Sequence, residues 1–573
     1  MLLTGNGVSS GITLGTIHIY SNDQILPEKS LCVPGEEQIE LDRYETVKRK
    51  ALDELELIIL AMGKNDPEKA KIFRAHEDIV NDVAINEEIP DKILNEHWNG
   101  DWAIYKIYDT FLRMVKKAPD PVIAERYADF EDVQRRLLRL WFNKNETGLS
   151  VLNKPVIVAA KELLPSDTVA MDVGNVLAII TETGGSTSHS AIIAKSYGIP
   201  AVLGIQGLLE KAKQGQTAAV NAGEGIVYLD PDAATIEDYT QKTKAWRKER
   251  ETAEKFRNID ALTADKERIE IGLNIANADE KELEAAGYVD SIGLFRTEFL
   301  YMGREDLPGE EEQFLTYKKV LERFGKKPVI LRTLDIGGDK TLRSLELPKE
   351  ENPFLGNRAL RLCFIHPELF TTQIRACLRA SVYGNLWIML PMVGSLDDIR
   401  KAKGYINNVR EELEKEGKPC GDFKIGIMIE IPSVALVAAH AAKEVDFASI
   451  GSNDLCQYLC AADRMNSAVE NYYQSYHPAL FRLIKETVDA FADAGKPVSI
   501  CGELGSDPLA VPLLIGLGIR KFSMGAASVA QIKRVVSGLT IEKVKKLAQK
   551  TLEFATAEEI KTYLIGEQCL NVP

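Results

Sequence analysis

The chain has 573 residues, of which 45% are hydrophobic and 27% are charged, and its formal net charge is −15 at pH 7. One hydrophobic core rarely serves a chain of this length, so we expect about two to four domains. The acidic balance excludes a general nucleic-acid role, because binding to phosphate backbones requires a basic face. No apolar run approaches the about 18 residues of a membrane helix, and no signal segment follows Met1. We therefore expect a cytoplasmic protein without membrane insertion.

The first part of the chain changes from a strand pattern to a helical one. Residues 5–20 are rich in glycine and β-branched residues and predict one or two short strands. Residues 36–143 nearly lose glycine and repeat apolar residues at helical spacing. This pattern indicates a bundle of about four helices, with a break at Asp120–Pro121.

Residues 155–230 return to a mixed α/β pattern. Apolar runs at 155–160 and 176–180 predict buried strands, and a hairpin is predicted around residues 223–225. Periodicity does not decide whether the first strands of the chain join this later sheet. If they do, the helical bundle is an insertion between two halves of one domain.

The last part of the chain alternates strands with helices. Residues 232–260 are charged and helix-prone, which fits either a solvated helix or a connector between domains. From about residue 262, eight strand–helix units indicate a (β/α)8 barrel. The predicted strands are Ile269–Ile275, Ser291–Arg296, Val329–Leu334, Leu386–Pro391, Ile425–Glu430, Phe447–Gly451, Val498–Cys501 and Lys521–Met524. The fold class is thus multidomain α/β.

Charged and polar residues gather where the predicted barrel strands end. Such strand ends form the active site of (β/α)8 barrels. The residues placed there are Arg296, Arg332, Glu430, Asn453, Asp454 and Cys501. Each residue alone has an ordinary structural explanation, as a surface ion pair, a helix cap or a core filler. Their recurrence at successive strand ends favours a site.

These residue types fit a small anionic phosphoester. Arg296 and Arg332 can each present a planar pair of donors to phosphate oxygens, and Arg358 and Arg464 add positive charge that could hold a carboxylate. Three further residues suit the chemistry of such a substrate. Glu430 and Asp454 are hard oxygen ligands suited to Mg²⁺. The thiol of Cys501 can supply a proton to an enolate if it stays protonated.

A second candidate site lies between a predicted strand and a helix. Residues 183–195 contain Gly184–Gly185, followed by hydroxyl residues around His189. Glycine allows successive N–H groups to face an anion, and the start of a helix favours phosphate. We interpret His189 as a nucleophile that forms a phosphohistidine. The structural alternative is a Ser/Thr helix cap whose histidine only packs.

Several long motifs resemble one known family, Enzyme I of the phosphoenolpyruvate-dependent sugar phosphotransferase system. The segment Gly184–His189, followed by Gly198–Ala201, resembles the phosphohistidine signature of phosphoenolpyruvate-utilising enzymes. The other matching segments are Gly293–Leu300, Arg332–Lys340, Glu351–Gly356, Ser449–Leu455 with Asp463–Arg464, and Cys501–Leu504. The resemblance extends over essentially the whole chain.

The resemblance implies a role for each candidate residue. His189 would be phosphorylated, and Cys501 would protonate the enolate to pyruvate. Phosphoenolpyruvate would bind to Arg296, Arg332, Asn453 and Arg464, and Mg²⁺ would bind to Glu430 and Asp454. The acceptor would be a histidine of the small phosphocarrier protein HPr, in the first step of sugar uptake.

The resemblance also implies a division into four parts. Residues 1–20 with 146–231 would form the phosphohistidine α/β domain, and residues 21–145 the inserted helical subdomain that docks HPr. Residues 232–261 would be a linker helix. Residues 262–573 would form the phosphoenolpyruvate-binding barrel and the homodimer interface.

Two departures and three alternatives remain open. Ser186 and Asn357 stand where the family usually has a basic residue and an aromatic residue. Without the positive charge at position 186, the phosphohistidine loop could bind phosphate more weakly. A dikinase or synthase would share the loop and barrel, but the first 150 residues lack a glycine-rich nucleotide loop. A phosphoenolpyruvate sensor would not need the whole set of His189, Glu430, Asp454 and Cys501. A regulatory phosphotransfer cascade would use the same chemistry.

Overall fold

The fold is that of a computed structural model of the chain. It describes residues 1–20, 27–63, 67–117, 127–142, 149, 152, 154–163, 171, 173–184, 190–191, 194, 197–302, 306–338, 345, 350–464 and 466–567. Two compact units divide the chain, residues 1–246 and residues 247–573. No helix among the described residues has the length and apolar character needed to cross a membrane.

A mixed sheet is the centre of the first unit. Its strands among the described residues are β1 (Leu2–Thr4), β2 (Asn6–Ser9), β3 (Ile12–Tyr20), β4 (Val156–Ala160), β5 (Val176–Thr181), β6 (Ala201–Leu203), β7 (Thr217–Asn221) and β8 (Ile226–Leu229). They are ordered β1-β8-β7-β3-β4-β5-β6-β2. The first strands therefore join the later sheet, which answers the question that periodicity left open.

Alternation along the central strands buries both faces of this sheet. In β4, Val158 packs on one face and Ile157 on the other, because successive side chains of a strand point in opposite directions. Strand β3 runs parallel to β4, with Ile17 opposite Ile157, and antiparallel to β7. A continuous apolar run such as that of β4 is typical of a strand covered on both faces.

The helical insertion lies between β3 and β4 along the chain. In its described residues the helices are α1 (Glu37–Gly63), α2 (Pro67–Val80), α3 (Val83–Glu96), α4 (Gly100–Lys117) and α5 (Tyr127–Trp141). They share one core, which includes Leu55, Ile89 and Val133. The predicted break at Asp120–Pro121 lies outside the described residues.

The described residues of the insertion form five helices, where the sequence predicted about four, and only two residues separate α2 from α3. Asp82 marks the separation, since its Oδ1 accepts the N–H groups of Ala84 at 3.0 Å and Ile85 at 3.1 Å. This cap starts a new helix within one uninterrupted run of apolar periodicity. After the sheet strands, α6 (Leu208–Lys211) and the long charged helix α7 (Ala233–Glu254) follow. The predicted boundaries of the four parts stay predictions.

A closed parallel barrel forms the centre of the second unit. Its described strands are β9 (Glu270–Ile275), β10 (Ser291–Arg296), β11 (Pro328–Arg332), β12 (Asn385–Leu390), β13 (Phe423–Ile429), β14 (Phe447–Gly451), β15 (Val498–Cys501) and β16 (Lys521–Met524). Strand β16 closes the barrel on β9, with Phe522 opposite Ile271. The predicted (β/α)8 fold is confirmed.

Helices cover the outside of this barrel. Those in the described residues are α8 (Glu280–Leu283), α9 (Glu310–Phe324), α10 (Leu360–Ile365), α11 (Pro367–Ala380), α12 (Leu396–Lys415), α13 (Pro432–Leu436), α14 (Ala438–Glu444), α15 (Ser452–Cys460), α16 (Pro478–Asp493), α17 (Ala510–Gly516), α18 (Ala526–Ser537), α19 (Ile541–Thr551) and α20 (Ala557–Gly566). Along β11, Val329 and Leu331 pack in the large core that these helices share, whereas Ile330 joins a smaller cluster with Trp387, Met428 and Cys501. The alternation along one strand therefore separates two apolar layers.

Candidate active site

The parallel barrel brings the predicted site residues to one end. Strand β10 ends at Arg296, β11 at Arg332 and β15 at Cys501. Glu430 directly follows β13, and Asp454 lies in the first turn of α15 after β14. Because all these strands are parallel, their carboxyl ends share one mouth of the barrel.

Arg332 is buried between two carboxylates. Its Nη2 donates to Glu298 Oε1 at 2.5 Å, and its Nη1 lies 2.9 Å from Asp335 Oδ2. Burial opposes the charge of the guanidinium, but Asp335 and Glu298 outweigh it and raise the pKa of Arg332. The residue thus keeps its charge although it is only 5% exposed.

Arg358 bridges two further carboxylates at the same mouth. Its Nε lies 3.0 Å from Asp335 Oδ1, and its Nη2 lies 3.2 Å from Asp454 Oδ2. Its Nη1 donates to Tyr458 Oη at 3.3 Å. The side chain that makes these contacts is only 1% exposed. The role of Arg358 in substrate binding stays a prediction, and its observed contacts are with the protein itself.

Asp335 connects these two arginines, so its loss should destabilise the barrel. We expect Asp335→Asn to lower the free energy of unfolding by about 3–5 kcal/mol, because it leaves two buried cations undercompensated. The protein is unfolded in urea, and hydrogen exchange of peptides from the barrel gives the midpoint of its unfolding. Asp397→Asn is the matched control, since that side chain is 93% exposed and should change stability by less than about 0.5 kcal/mol. Equal midpoints for both variants would contradict the network.

The two carboxylate oxygens of Glu430 differ in their hydrogen bonds. Oε1 accepts the Met392 N–H at 2.6 Å, whereas Oε2 is buried and has no hydrogen-bond partner among the described residues. A Cβ at Gly451 would lie 3.0 Å from Oε2, so glycine allows the close packing of this residue against Glu430. Burial, and then the carboxylates of Asp454 and Asp335, raise the pKa of Glu430. A buried carboxylate with a free oxygen fits a ligand for a divalent cation.

Asp454 differs from Glu430 because cations flank it. Burial opposes its ionisation, but Arg358 and Arg464 outweigh burial and lower the pKa of Asp454. Arg464 Nη2 lies 3.8 Å from Asp454 Oδ1, and its side chain is 24% exposed. Asn453 Oδ1 accepts the Glu503 N–H at 3.1 Å, which fixes the amide beside the carboxylate. The mouth thus combines fixed cations with two carboxylates of different proton affinity.

Cys501 is a buried thiol at the end of β15. Its Sγ donates to Ile450 O at 3.4 Å and lies 3.6 Å from Ser449 Oγ. Burial raises the pKa of the Cys501 thiol above its ordinary value. The thiol is therefore protonated at neutral pH, which is the condition set by its predicted role as a proton donor. The positive charge of Arg296 acts on the same thiol.

One predicted site residue lies outside the described residues, and one residue at the barrel mouth was not predicted. His189 and residues 185–188 lie outside the described residues, although Ser190 is described as buried. Sequence reasoning missed Tyr458, which donates to Phe354 O at 2.6 Å and contacts Arg358. Its spacing of four residues from Asp454 along α15 was a signal, because residues at i and i+4 share a helix face.

Comparisons with known proteins define the class. Three family models match, all of phosphoenolpyruvate-utilising enzymes: the N-terminal domain at residues 4–126, the mobile domain at 152–225 and the phosphoenolpyruvate-binding domain at 250–541. The chain therefore has the domain composition and the fold of a phosphoenolpyruvate-utilising enzyme.

Curated relatives narrow the class to one family. A protein of Priestia megaterium named phosphoenolpyruvate-protein phosphotransferase is 41% identical over 562 residues, covering 97% of each chain. The relative of that name in Bacillus subtilis (strain 168) is 39% identical over 98% of this chain and 99% of its own. The one in Staphylococcus carnosus (strain TM300) is 42% identical over 86% of each chain. The chain belongs to the phosphoenolpyruvate-protein phosphotransferase family, which confirms the resemblance found in the sequence.

Proposed function

We propose that the chain transfers the phosphoryl group of phosphoenolpyruvate to His189, releases pyruvate, and passes the group to a histidine of HPr. Membership of the family makes the chain a phosphotransferase. The arrangement of charged residues at the barrel mouth is the observation that supports this proposal. There, the buried Arg332 and Arg358 form ion pairs with Glu298, Asp335 and Asp454, and Cys501 has a thiol whose pKa is raised.

Substrate binding is assigned to the cationic residues of that mouth. Arg296 and Arg332 would hold phosphoryl oxygens, and Asn453 and Arg464 would complete the binding of phosphoenolpyruvate. Arg358 is proposed as a further substrate-binding residue. Its present partners, Asp335 and Asp454, would then hold it in place for this contact.

Glu430 and Asp454 would hold Mg²⁺. The buried Oε2 of Glu430, which has no hydrogen-bond partner among the described residues, supports this assignment. When bound, the ion supplies charge neutralisation at the phosphoryl group and at the leaving enolate.

The reaction would proceed by in-line transfer. The imidazole of His189 attacks phosphorus, and the bond between phosphorus and the enol oxygen breaks. The electron pair of that bond passes to the enolate, whose carbon takes the thiol proton of Cys501 to give pyruvate. The resulting thiolate regains a proton from solvent. The phosphohistidine then gives its phosphoryl group to the carrier.

Partners and location follow from the resemblance. The helical part, residues 21–145, is proposed to dock HPr, and residues 262–573 to form a homodimer. We place the protein in the cytoplasm, at the first step of sugar uptake. The phosphohistidine domain, residues 1–20 with 146–231, would carry the group between barrel and HPr, with residues 232–261 as the linker.

The direct test uses labelled phosphoenolpyruvate. Incubation of the chain with the labelled substrate and Mg²⁺ should produce a protein-bound label that is labile in acid and stable in base, as expected for phosphohistidine. Added HPr should remove the label from the chain and become labelled itself. A stable serine-type phosphate, or label that stays on the chain in the presence of HPr, would contradict the proposal.

Removal of the Cys501 thiol should slow pyruvate release. We expect Cys501→Ala to bind phosphoenolpyruvate like wild type but to form pyruvate about 10²–10⁴-fold more slowly, because the enolate loses its proton donor. Substrate binding by calorimetry and pyruvate formation by a coupled assay separate the two effects. Cys420→Ala is the matched control, as a half-buried cysteine before β13, and should keep the wild-type rate. Equal rates for both variants would exclude Cys501 as the donor.

A further inference from the structure

A second group of ligand-type side chains lies in the first unit. Cys32, Glu37 and His97 each offer one atom, and the three atoms lie within 4.8 Å of one another. The cysteine is 6% exposed, the side chain of Glu37 19% and that of His97 56%. The cluster is therefore anchored on a buried thiol and open to solvent on its histidine side.

Backbone contacts hold Cys32 and His97 side by side. Leu31 and Trp98 form an antiparallel bridge, and the Cys32 N–H donates to His97 O at 2.8 Å. On the other side of the bridge, the Asn99 N–H donates to the carbonyl oxygen of residue 30 at 3.1 Å. The two ligand residues thus come from distant parts of the chain, and their spacing is set by main-chain hydrogen bonds.

His97 occupies a position at which glycine is usual. It ends α3 in the left-handed conformation, with φ 56° and ψ 35°, and its N–H donates to Lys92 O. Such positions favour glycine or asparagine, because a larger side chain is less comfortable there. The helix end itself therefore gives no reason for an imidazole at this point, whereas the neighbouring thiol and carboxylate do.

Glu37 completes the set with a fixed carboxylate. Its Oε2 accepts the Gly35 N–H at 2.9 Å, and its Oε1 lies 2.9 Å from His97 Nδ1. Glu36 and Glu40 add negative charge around the same thiol. The cluster is thus net acidic, and a divalent cation would relieve the repulsion between its carboxylates and a thiolate.

We propose that Cys32, Glu37 and His97 bind one Zn²⁺ ion, with water in the fourth position. Sulfur, imidazole nitrogen and carboxylate oxygen are the ligands that zinc takes in proteins, at about 2.3 Å for sulfur and about 2.0–2.2 Å for nitrogen and oxygen. The ion would join the segment before α1 to the end of α3, so it would stabilise the helical insertion. This site is independent of the proposed phosphotransfer.

Zinc titration of the full chain tests the proposal. The chain is treated with a chelator, returned to buffer with excess Mg²⁺ to occupy the barrel carboxylates, and titrated with Zn²⁺ against a chromophoric chelator. We expect one tight site per chain in wild type and at least about tenfold weaker binding in Cys32→Ala and His97→Asn. Asparagine is chosen because it tolerates the left-handed turn. Cys420→Ala and His440→Ala are the matched controls and should bind zinc like wild type.

Two further readouts separate a ligand role from a structural one. Co²⁺ in place of Zn²⁺ should give a thiolate charge-transfer band in wild type and in His440→Ala, and none in Cys32→Ala. Zinc should also raise the melting temperature of wild type but not of His97→Asn, since an ion that binds only the folded state stabilises it. Absence of a tight site in wild type, or equal zinc binding by Cys32→Ala and the controls, would overturn the proposal.

Discussion

Replacement of His189 by alanine is expected to abolish phosphoryl transfer. Alanine has no nucleophilic atom, so neither label from phosphoenolpyruvate nor label on HPr should exceed background. The expected loss covers the full range of the assay, because no other group accepts the phosphoryl in the proposed mechanism. Mass spectrometry of the peptide containing residue 189 locates the label in wild type.

The controls for this variant separate lost chemistry from lost substrate binding. His189→Ala should still bind phosphoenolpyruvate at the barrel, since the proposed binding residues are unchanged. His440→Ala removes an exposed imidazole at α14 and should transfer phosphate at the wild-type rate. If His189→Ala still carried a label that is labile in acid and stable in base, the phosphorylated residue would lie elsewhere.

Replacement of Glu430 by glutamine should cause the second-largest loss of activity. Glutamine keeps an oxygen for the Met392 N–H but removes the charge offered to the metal. Without the charge stabilisation that the metal supplies, the activation free energy should rise by about 4 kcal/mol, which corresponds to about a thousandfold lower rate. The measurement is the rate of pyruvate formation across a Mg²⁺ titration. A wild-type rate at saturating Mg²⁺ would exclude Glu430 as a ligand.

The same variant should be as stable as wild type or more stable without metal. Because the folded-state pKa of Glu430 is raised, the unfolded chain releases this proton first as pH rises from about 4. In wild type the contribution of this group to stability is therefore present below the unfolded pKa and is lost as pH rises toward the folded one.

Urea unfolding in a chelator checks this pH dependence. The stability difference in favour of Glu430→Gln should be near zero at acidic pH and should grow toward neutral pH. Glu411→Gln, at a side chain that is 67% exposed, should show no such trend. A constant difference across the pH range would contradict the buried, proton-binding carboxylate.

The barrel and its strand ends could be predicted because both have local signals. Apolar strands followed by polar residues repeat along the sequence, and the parallel topology then places Arg296, Arg332 and Cys501 at one mouth. The strand bounds at Ser291–Arg296 and Phe447–Gly451 match the prediction.

The partners of the charged residues could not be predicted in the same way. Arg358 follows β11 by a long connection, and no periodicity relates it to Asp335 or Asp454. Likewise, the opposite pKa shifts of Glu430 and Asp454 depend on which cations surround each carboxylate in space. The boundary between α2 and α3 is set by Asp82, which caps α3, and the apolar periodicity that runs through both helices does not mark it.

The position of β3 in the first sheet has a consequence for how the chain folds. This strand lies between β4 and β7, yet the helices α1–α5 separate it from both along the chain. Its pairing therefore closes long loops, and such distant contacts form slowly compared with local helices. We expect the inserted helices to become protected from hydrogen exchange before β3 does during refolding. The nascent chain would then leave its first strands unpaired until the segment after residue 155 has been synthesised.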